Sequence, residues 1–278
     1  LFTTVSCTSE KNGTTDETAV EKQNENTPQM LTNVFKGNNI TLPEEYRVIE
    51  GASPYYDKDS GEITLLCVKT EYVYDDNGEY VSRNNLYKTC KYDKDLNLIE
   101  DKDIELLGDD HETYAGNCVI LSDKIVCGVT KFVDGQNSYT ITIYDMTSGE
   151  SKTSEELNGL FDTAEEGGWF YVNSICVNKD GDIYIGSENE ILVLNDSFVK
   201  KFSMPVERWI NSMASSPEGD IYVMSHFDKG SGIAKINPET KSFDDPIYPG
   251  DNTRQLMFGD GYDLYVELED GIYGCSFT

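Results

Sequence analysis

Three observations predict an all-β chain built from repeated four-stranded antiparallel units. One phrase recurs through the chain: DSGEITLL (59–66), KDGDIYIG (179–186), PEGDIYVM (217–224) and DGYDLYVE (260–267). Each copy joins a glycine turn to an acidic residue and then to an alternating run of β-branched, aromatic and aliphatic residues, the pattern of a half-buried strand after a tight turn. Short apolar runs flank every copy, with FYVNSICVN, WINSMASS and RQLMF before the turns and NEILVLND, SGIAKINPET and DGIYGCSF after them. Helix signals are nearly absent, and only residues 154–165 predict a helical turn or two.

Taken in order, the units fall at roughly 44–107, 108–160, 166–207, 208–250 and 251–278. The first holds DSGEITLL, a loop YDDNGEYVSRNN, and then LYKTCKYDKDLNLIE; the second holds LSDKIVCGVTKF (121–132) and SYTITIYDMTSGE (138–150). The third and fourth carry fourth strands in SFVKKFSMP (197–205) and SFDDPIYP (242–249), and the turn glycines Gly181, Gly219 and Gly261 lie 38 and 42 residues apart. Four-stranded units of this length, repeated with their turns in register, describe a β-propeller rather than a sandwich. The fifth unit stops after its third strand. Either the N-terminal segment TNVFKGNNITLP (32–43) completes it, or the chain is a fragment with further blades to follow, and the missing start methionine favours the fragment.

Ahead of the repeats, residues 8–29 form a polar stretch with Ala19 and Val20 as its aliphatic side chains, a composition that, through residue 30, cannot recover its ordering entropy by burial. It reads as a disordered tether between residues 1–7 and a folded unit at 31–278. Residues Leu1-Phe2-Thr3-Thr4-Val5-Ser6-Cys7 resemble the end of a bacterial lipoprotein signal peptide, although Thr4 stands where leucine is usual. That resemblance implies a diacylglycerol on the Cys7 sulfur and anchorage to the outer face of the cytoplasmic membrane. No apolar run is long enough to span a bilayer. Net charge is −29, of which the tether supplies little, so the folded part is itself acidic. Nucleic acid is thereby excluded as a partner, since its binding needs a basic footprint. Of the seven cysteines, Cys67, Cys90, Cys118, Cys127 and Cys176 sit in strand-like runs and read as small buried hydrophobes with free thiols. A hairpin turn at Ser122-Asp123 would place Cys118 opposite Cys127.

The order of lipid-box cysteine, Thr/Glu/Asn-rich tether, MLTNVFKGNNITLPEEYRV and blades with DGDIYI and INPET turns is similar to the propeller region of surface lipoproteins in Gram-positive clostridia. In several of these a propeller precedes the extracellular solute-binding domain of an ABC importer. The resemblance implies a cell-surface scaffold tied to solute capture, with transporter components as partners.

Catalytic signatures are missing. There are two histidines, His111 and His226, and no GxSxG, HExxH, P-loop or Rossmann pattern. Acidic turns such as YDKDSGE, YDDNGE and VNKDGD do not match a calcium loop, and Asp and Asn there favour turn chemistry. No cofactor and no metal are expected. The loops that open onto one face of a propeller would carry Tyr46, His111, Tyr114, Trp169, Arg208, Trp209, Asn211 and Arg254. Aromatic residues and arginine at a funnel rim suit a sugar or peptide ligand, whereas packing between blades is the plainer role for Trp169 and Trp209. The chain is therefore expected to be a non-enzymatic binding or scaffold module. A propeller lyase or hydrolase acting on extracellular glycans is the alternative.

Overall fold

The computed structural model describes residues 29–32, 40–49, 51–107, 113–133, 136–162, 171–206, 209–228, 230–247, 255–259, 262–268 and 271–276. After a first strand β1 (Gln29–Thr32), sheet one consists of β2 (Arg47–Val48), β3 (Tyr55–Tyr56), β4 (Ile63–Tyr74), β5 (Tyr80–Tyr92) and β6 (Leu98–Ile104). Sheet two runs β7 (Thr113–Ile120), β8 (Lys124–Val133), β9 (Gln136–Asp145) and β10 (Ser151–Thr153), and a single 3₁₀ turn follows at Asn158–Leu160. Sheet three is β11 (Val172–Val177), β12 (Ile183–Ser187), β13 (Glu190–Leu194) and β14 (Lys200–Pro205). Sheet four is β15 (Ile210–Ser215), β16 (Ile221–Phe227), β17 (Gly230–Asn237) and β18 (Ser242–Phe243). In the last sheet β19 (Gln255–Gly259), β20 (Tyr262–Leu268) and β21 (Gly271–Ser276) are joined by β1, with Gln29 opposite Ser276 and Thr32 opposite Tyr273. Every ladder is antiparallel, and the architecture is that of a β-propeller.

The fourth place in the last sheet is thus filled from the N-terminal side of the chain. The segment that fills it is Gln29–Thr32, earlier than the 32–43 stretch that resembles a fourth strand. Residues 40–46 serve sheet one instead, where Ile40, Leu42 and Tyr46 pack over Cys67, Cys90 and Tyr92.

Consecutive sheets share their cores. Ile125, Cys127 and Val129 of β8 pack toward sheet one, while Val126 packs toward sheet three with Ile141 and Ile143 of β9. In sheet three Ile183, Ile185, Leu192 and Leu194 face sheet two, and Tyr184, Ile191 and Val193 face sheet four. The DIYIG and ILVL runs are therefore buried on both faces, which corrects the half-buried reading of their alternation. Each fully buried Ile or Leu contributes about 1.5–3 kcal/mol of transfer free energy. Cys67, Cys90, Cys118, Cys127 and Cys176 inside these layers are free and buried, and Cys118 faces Cys127 across β7 and β8.

Side chains close the turns on themselves. Asp57, Asp75, Asp93, Asp145, Asn178, Asn195 and Asn237 each accept, through Oδ1, the backbone N–H two residues on. The glycines at Gly61, Gly181 and Gly219 take φ of +73°, +85° and +94°, which side-chain-bearing residues rarely adopt. One sequence reading needs correction here: YDDNGEYVSRNN is not a loop. β4 runs through Tyr74 and β5 restarts at Tyr80, leaving a tight turn that the Asp75 carboxylate organises by accepting the Asn77 and Glu79 N–H groups. The polar Ser-Arg-Asn-Asn run hides the strand because, between Tyr80 and Leu86, β5 has no third strand beside it among the described residues and little to bury.

Between sheets, two serines fasten one innermost strand to the next. The Ser174 hydroxyl accepts the Met213 N–H at 2.9 Å, and the Ser212 hydroxyl accepts the Leu256 N–H at 3.2 Å. Ser174→Ala strands a buried amide and is expected to cost about 1–3 kcal/mol, read as a lower urea midpoint with unchanged m-value. Hydrogen bonds from Asn97, Glu79 and Ser148 help hold Asp93, Asp75 and Asp145 below the usual carboxylate range. A depressed carboxylate contributes stability above its unfolded-state pKa, and that contribution is lost as pH falls through the folded one. The stability gap between wild type and Asp93→Asn/Asp145→Asn should accordingly be present at neutral pH and close on acidification; a gap that persists unchanged in acid would show that ionisation is not involved.

Candidate functional site

The innermost strands β7, β11 and β15 each contain one extra residue, and in all three it is asparagine. Register breaks lie between Gly116 and Cys118, Val172 and Ser174, and Ile210 and Ser212, leaving Asn117, Asn173 and Asn211 as the bulged residues. A bulge takes a residue out of the ladder and re-aims its side chain, and bulges cluster beside functional sites for that reason. These strands form the edges of their sheets and pack one against the next, so the three asparagines occupy equivalent places round the inside of the propeller.

Their surroundings differ in instructive ways. Asn117 takes φ of +50° and donates from Nδ2 to the Val172 carbonyl at 2.8 Å, bridging sheet two to sheet three beside Asn173. Gly51 closes the other side, where a Cβ would fall 2.4 Å from Asn117 Oδ1. Only glycine leaves space for that carboxamide. Ser53, two residues on, donates its N–H to the Cys118 carbonyl at 2.7 Å and fixes this loop of sheet one against β7. The Asn173 side-chain nitrogen is buried without a hydrogen-bond partner among the described residues. Asn211 is exposed. An amide offers both a donor and an acceptor, so the arrangement suits a neutral ligand rich in hydroxyl and carbonyl oxygen.

The aromatic residues near this mouth divide. Trp209, two residues before Asn211, is 58% exposed, and its carbonyl accepts the Ser225 hydroxyl at 3.0 Å. Packing between blades is therefore not its role. Tyr114, at the start of β7, is half-buried with the Arg83 guanidinium 5.9 Å from its ring centre. Tyr46 sits on the opposite face of sheet one, with Lys88 Nζ 5.3 Å from its ring centre, and the structure does not bring it together with Tyr114. Burial raises the pKa of its hydroxyl. His111, Trp169, Arg208, Arg254 and Cys7 lie outside the described residues. Asn117 and Asn173 escaped the sequence reading, although the signal was present as a repeated phrase: NCVIL, NSICV and NSMAS each place Asn before Cys or Ser and an apolar residue.

At the other end of the strands a cleft of about 340 Å³ opens between sheets one and two, its lining including Tyr55, Thr64, Lys91, Lys102, Tyr144 and Met146. Glu62 and Lys91 form an ion pair there. Among the described residues no group of three or more His, Cys, Asp or Glu side chains converges to hold a metal ion, and no helix is long and apolar enough to cross a membrane.

No family model matches the chain, and no curated protein does. Solved structures do. A luciferin-regenerating enzyme superposes with a TM-score of 0.50 at 13% identity, over 84% of this chain and 92% of that one. A putative gluconolactonase gives a TM-score of 0.50 at 10% identity, over 86% and 94%. A gluconolactonase from Xanthomonas campestris gives 0.49 at 8% identity, over 82% and 86%. At these identities the likeness shows the shared fold. It also corrects the non-enzymatic expectation, which rested on missing motifs: the same fold carries a luciferin-regenerating enzyme and a putative gluconolactonase.

In a Trp169→Phe variant, the remaining indole at Trp209 should be quenched by acrylamide nearly as freely as in the urea-unfolded chain. A several-fold smaller quenching constant would place it inside the protein.

Proposed function

We propose that this protein is a propeller hydrolase acting on small, oxygen-rich, sugar-derived substrates such as lactones or esters, at the mouth lined by Asn117, Asn173 and Asn211. The observation that carries the reading is the placement of one asparagine at the same bulge of three consecutive innermost strands, with the buried Asn173 nitrogen unpartnered among the described residues. An unpaired buried amide costs about 1–3 kcal/mol, a penalty that a bound acceptor oxygen removes. Amide donors fixed by a rigid sheet can hold a carbonyl and stabilise the oxyanion that develops when water attacks it. Exposed Trp209 offers a stacking surface for a sugar ring. Two similar folds, a luciferin-regenerating enzyme and a putative gluconolactonase, lend support to catalysis on this scaffold. A net charge of −29 does not favour an anionic polymer.

The reading extends to location. The Val5-Ser6-Cys7 sequence and the polar stretch after it support a lipid anchor that holds the enzyme at the outer face of the membrane, where polysaccharide breakdown products are met. Labelling with radioactive palmitate should mark the wild-type chain and spare Cys7→Ala; equal labelling of both would remove the anchor from the proposal.

The activity is tested by following acid release from a panel of aldonolactones and sugar esters in a pH-stat. Asn173→Ala and Asn211→Ala, if they melt like wild type, should lower kcat/KM about 100-fold, the scale of losing one oxyanion donor. Absence of turnover across the panel, or turnover indifferent to both asparagines, would overturn this assignment.

A further inference from the structure

The hairpin of β4 and β5 outgrows its sheet. β2 pairs with β4 only as far as Val68, and β6 pairs with β5 only as far as Tyr87. Beyond those points residues 69–74 and 80–86 form a two-stranded ribbon whose outer edges are unpaired among the described residues. Its base is held to sheet two: Asn85 Nδ2 donates to the Thr113 carbonyl at 3.1 Å, and Tyr87 Oη accepts the Ala115 N–H at 3.3 Å. Among the described residues the tip has no such cover. Tyr72, Val73, Tyr74, Tyr80 and Val81 are between 39% and 59% exposed, and they account for a large part of the exposed apolar surface of the described residues. Tyr80 meets both Tyr72 and Tyr74 edge-on, each pair with ring centres 6.4 Å apart.

A bare two-stranded ribbon is marginal in water, and free strand edges beside exposed apolar side chains invite an added strand. Charge identifies what is added. Glu71, Asp75, Asp76 and Glu79 surround the tip, Lys69 is neutralised by Glu45 and Glu71, and Arg83 is engaged on Tyr114. A second copy of the chain would bring two such acidic tips together, in a molecule of net charge −29. Val73 and Val81 offer nothing to a sugar ring, whereas tyrosine faces attract cations and valine suits an apolar strand.

We propose that the β4–β5 ribbon is a docking edge for an extended segment of another protein that alternates apolar residues with lysine or arginine. The segment adds as a strand along the ribbon, its apolar side chains meeting Tyr72, Tyr74 and Tyr80 and its cations meeting the acidic turn. This edge is separate from the asparagine-lined mouth, and the proposal holds whatever that mouth binds.

The test uses the full chain and a peptide of about ten residues alternating lysine and valine, the length of one strand. Fluorescence anisotropy should show binding that weakens at least about tenfold between roughly 0.05 and 0.5 M salt. Hydrogen exchange should slow at the backbone amides of residues 69–74 and 80–86. Tyr72→Ser/Tyr74→Ser/Tyr80→Ser keeps every charge, and it should lose binding at least about tenfold while retaining the wild-type melting temperature. Equal binding by this variant would reduce the effect to non-specific charge attraction and overturn the proposal. So would protection of the ribbon by neutral glucan oligosaccharides in place of the peptide, or ribbon-dependent dimerisation of the chain alone in sedimentation.

Discussion

Burial on both faces is the constraint from which the rest of this structure follows. Sheet three presents Ile185 and Leu192 to one neighbour and Ile191 and Val193 to the other, so it cannot shed water from both sides unless a sheet stands on each. Stacking alone leaves register undetermined, because apolar contact is non-directional. Direction comes from the innermost strands, where Ser174 and Ser212 reach across to a main-chain N–H of the following sheet and Ser53 pairs with β7. Oily layers provide most of the cohesion, and a few polar links fix how far each layer slides on the next.

The same strands supply the candidate site. A regular edge strand would spend its amide groups on its own ladder or on water. With a bulge at Asn117, Asn173 and Asn211, each strand gives up one rung and gains a carboxamide that belongs to no ladder. Asn117 shows the structural side of the device by clamping Val172, and Gly51 shows its steric demand. Asn173, half-buried with its side-chain nitrogen buried and unpartnered among the described residues, shows the chemical side. In β11 and β15 stability and the proposed function thus draw on neighbouring residues of one short motif, the asparagine as the proposed ligand contact and the serine after it reaching the next sheet.

Much of this was legible in the sequence. Turn glycines such as Gly181 and Gly219 announced strand boundaries because their positive φ admits few other residues, and the repeat spacing announced the architecture. Two features were illegible for physical reasons. The ribbon of β4 and β5 lacked an apolar alternation because its upper half buries little, so YVSRNN looked like loop. The asparagines were hidden in a different way, since a bulge breaks the period of two by which strand residues are assigned a face. Function was harder to read still. Trp209 could be named but not oriented, and a site divided among separate strands leaves no local pattern to search for.

The last sheet has a consequence for how the molecule is made. β1 is synthesised before every other strand described, yet its partner β21 lies more than two hundred residues later. During elongation the earlier sheets can stack as they emerge, while β1 must wait as an unpaired strand until β21 has appeared. Closing the last sheet is therefore a late, long-range step that reports that synthesis has reached β21. A chain interrupted anywhere before Gly271 would carry an N-terminal strand without the partner that closes the last sheet.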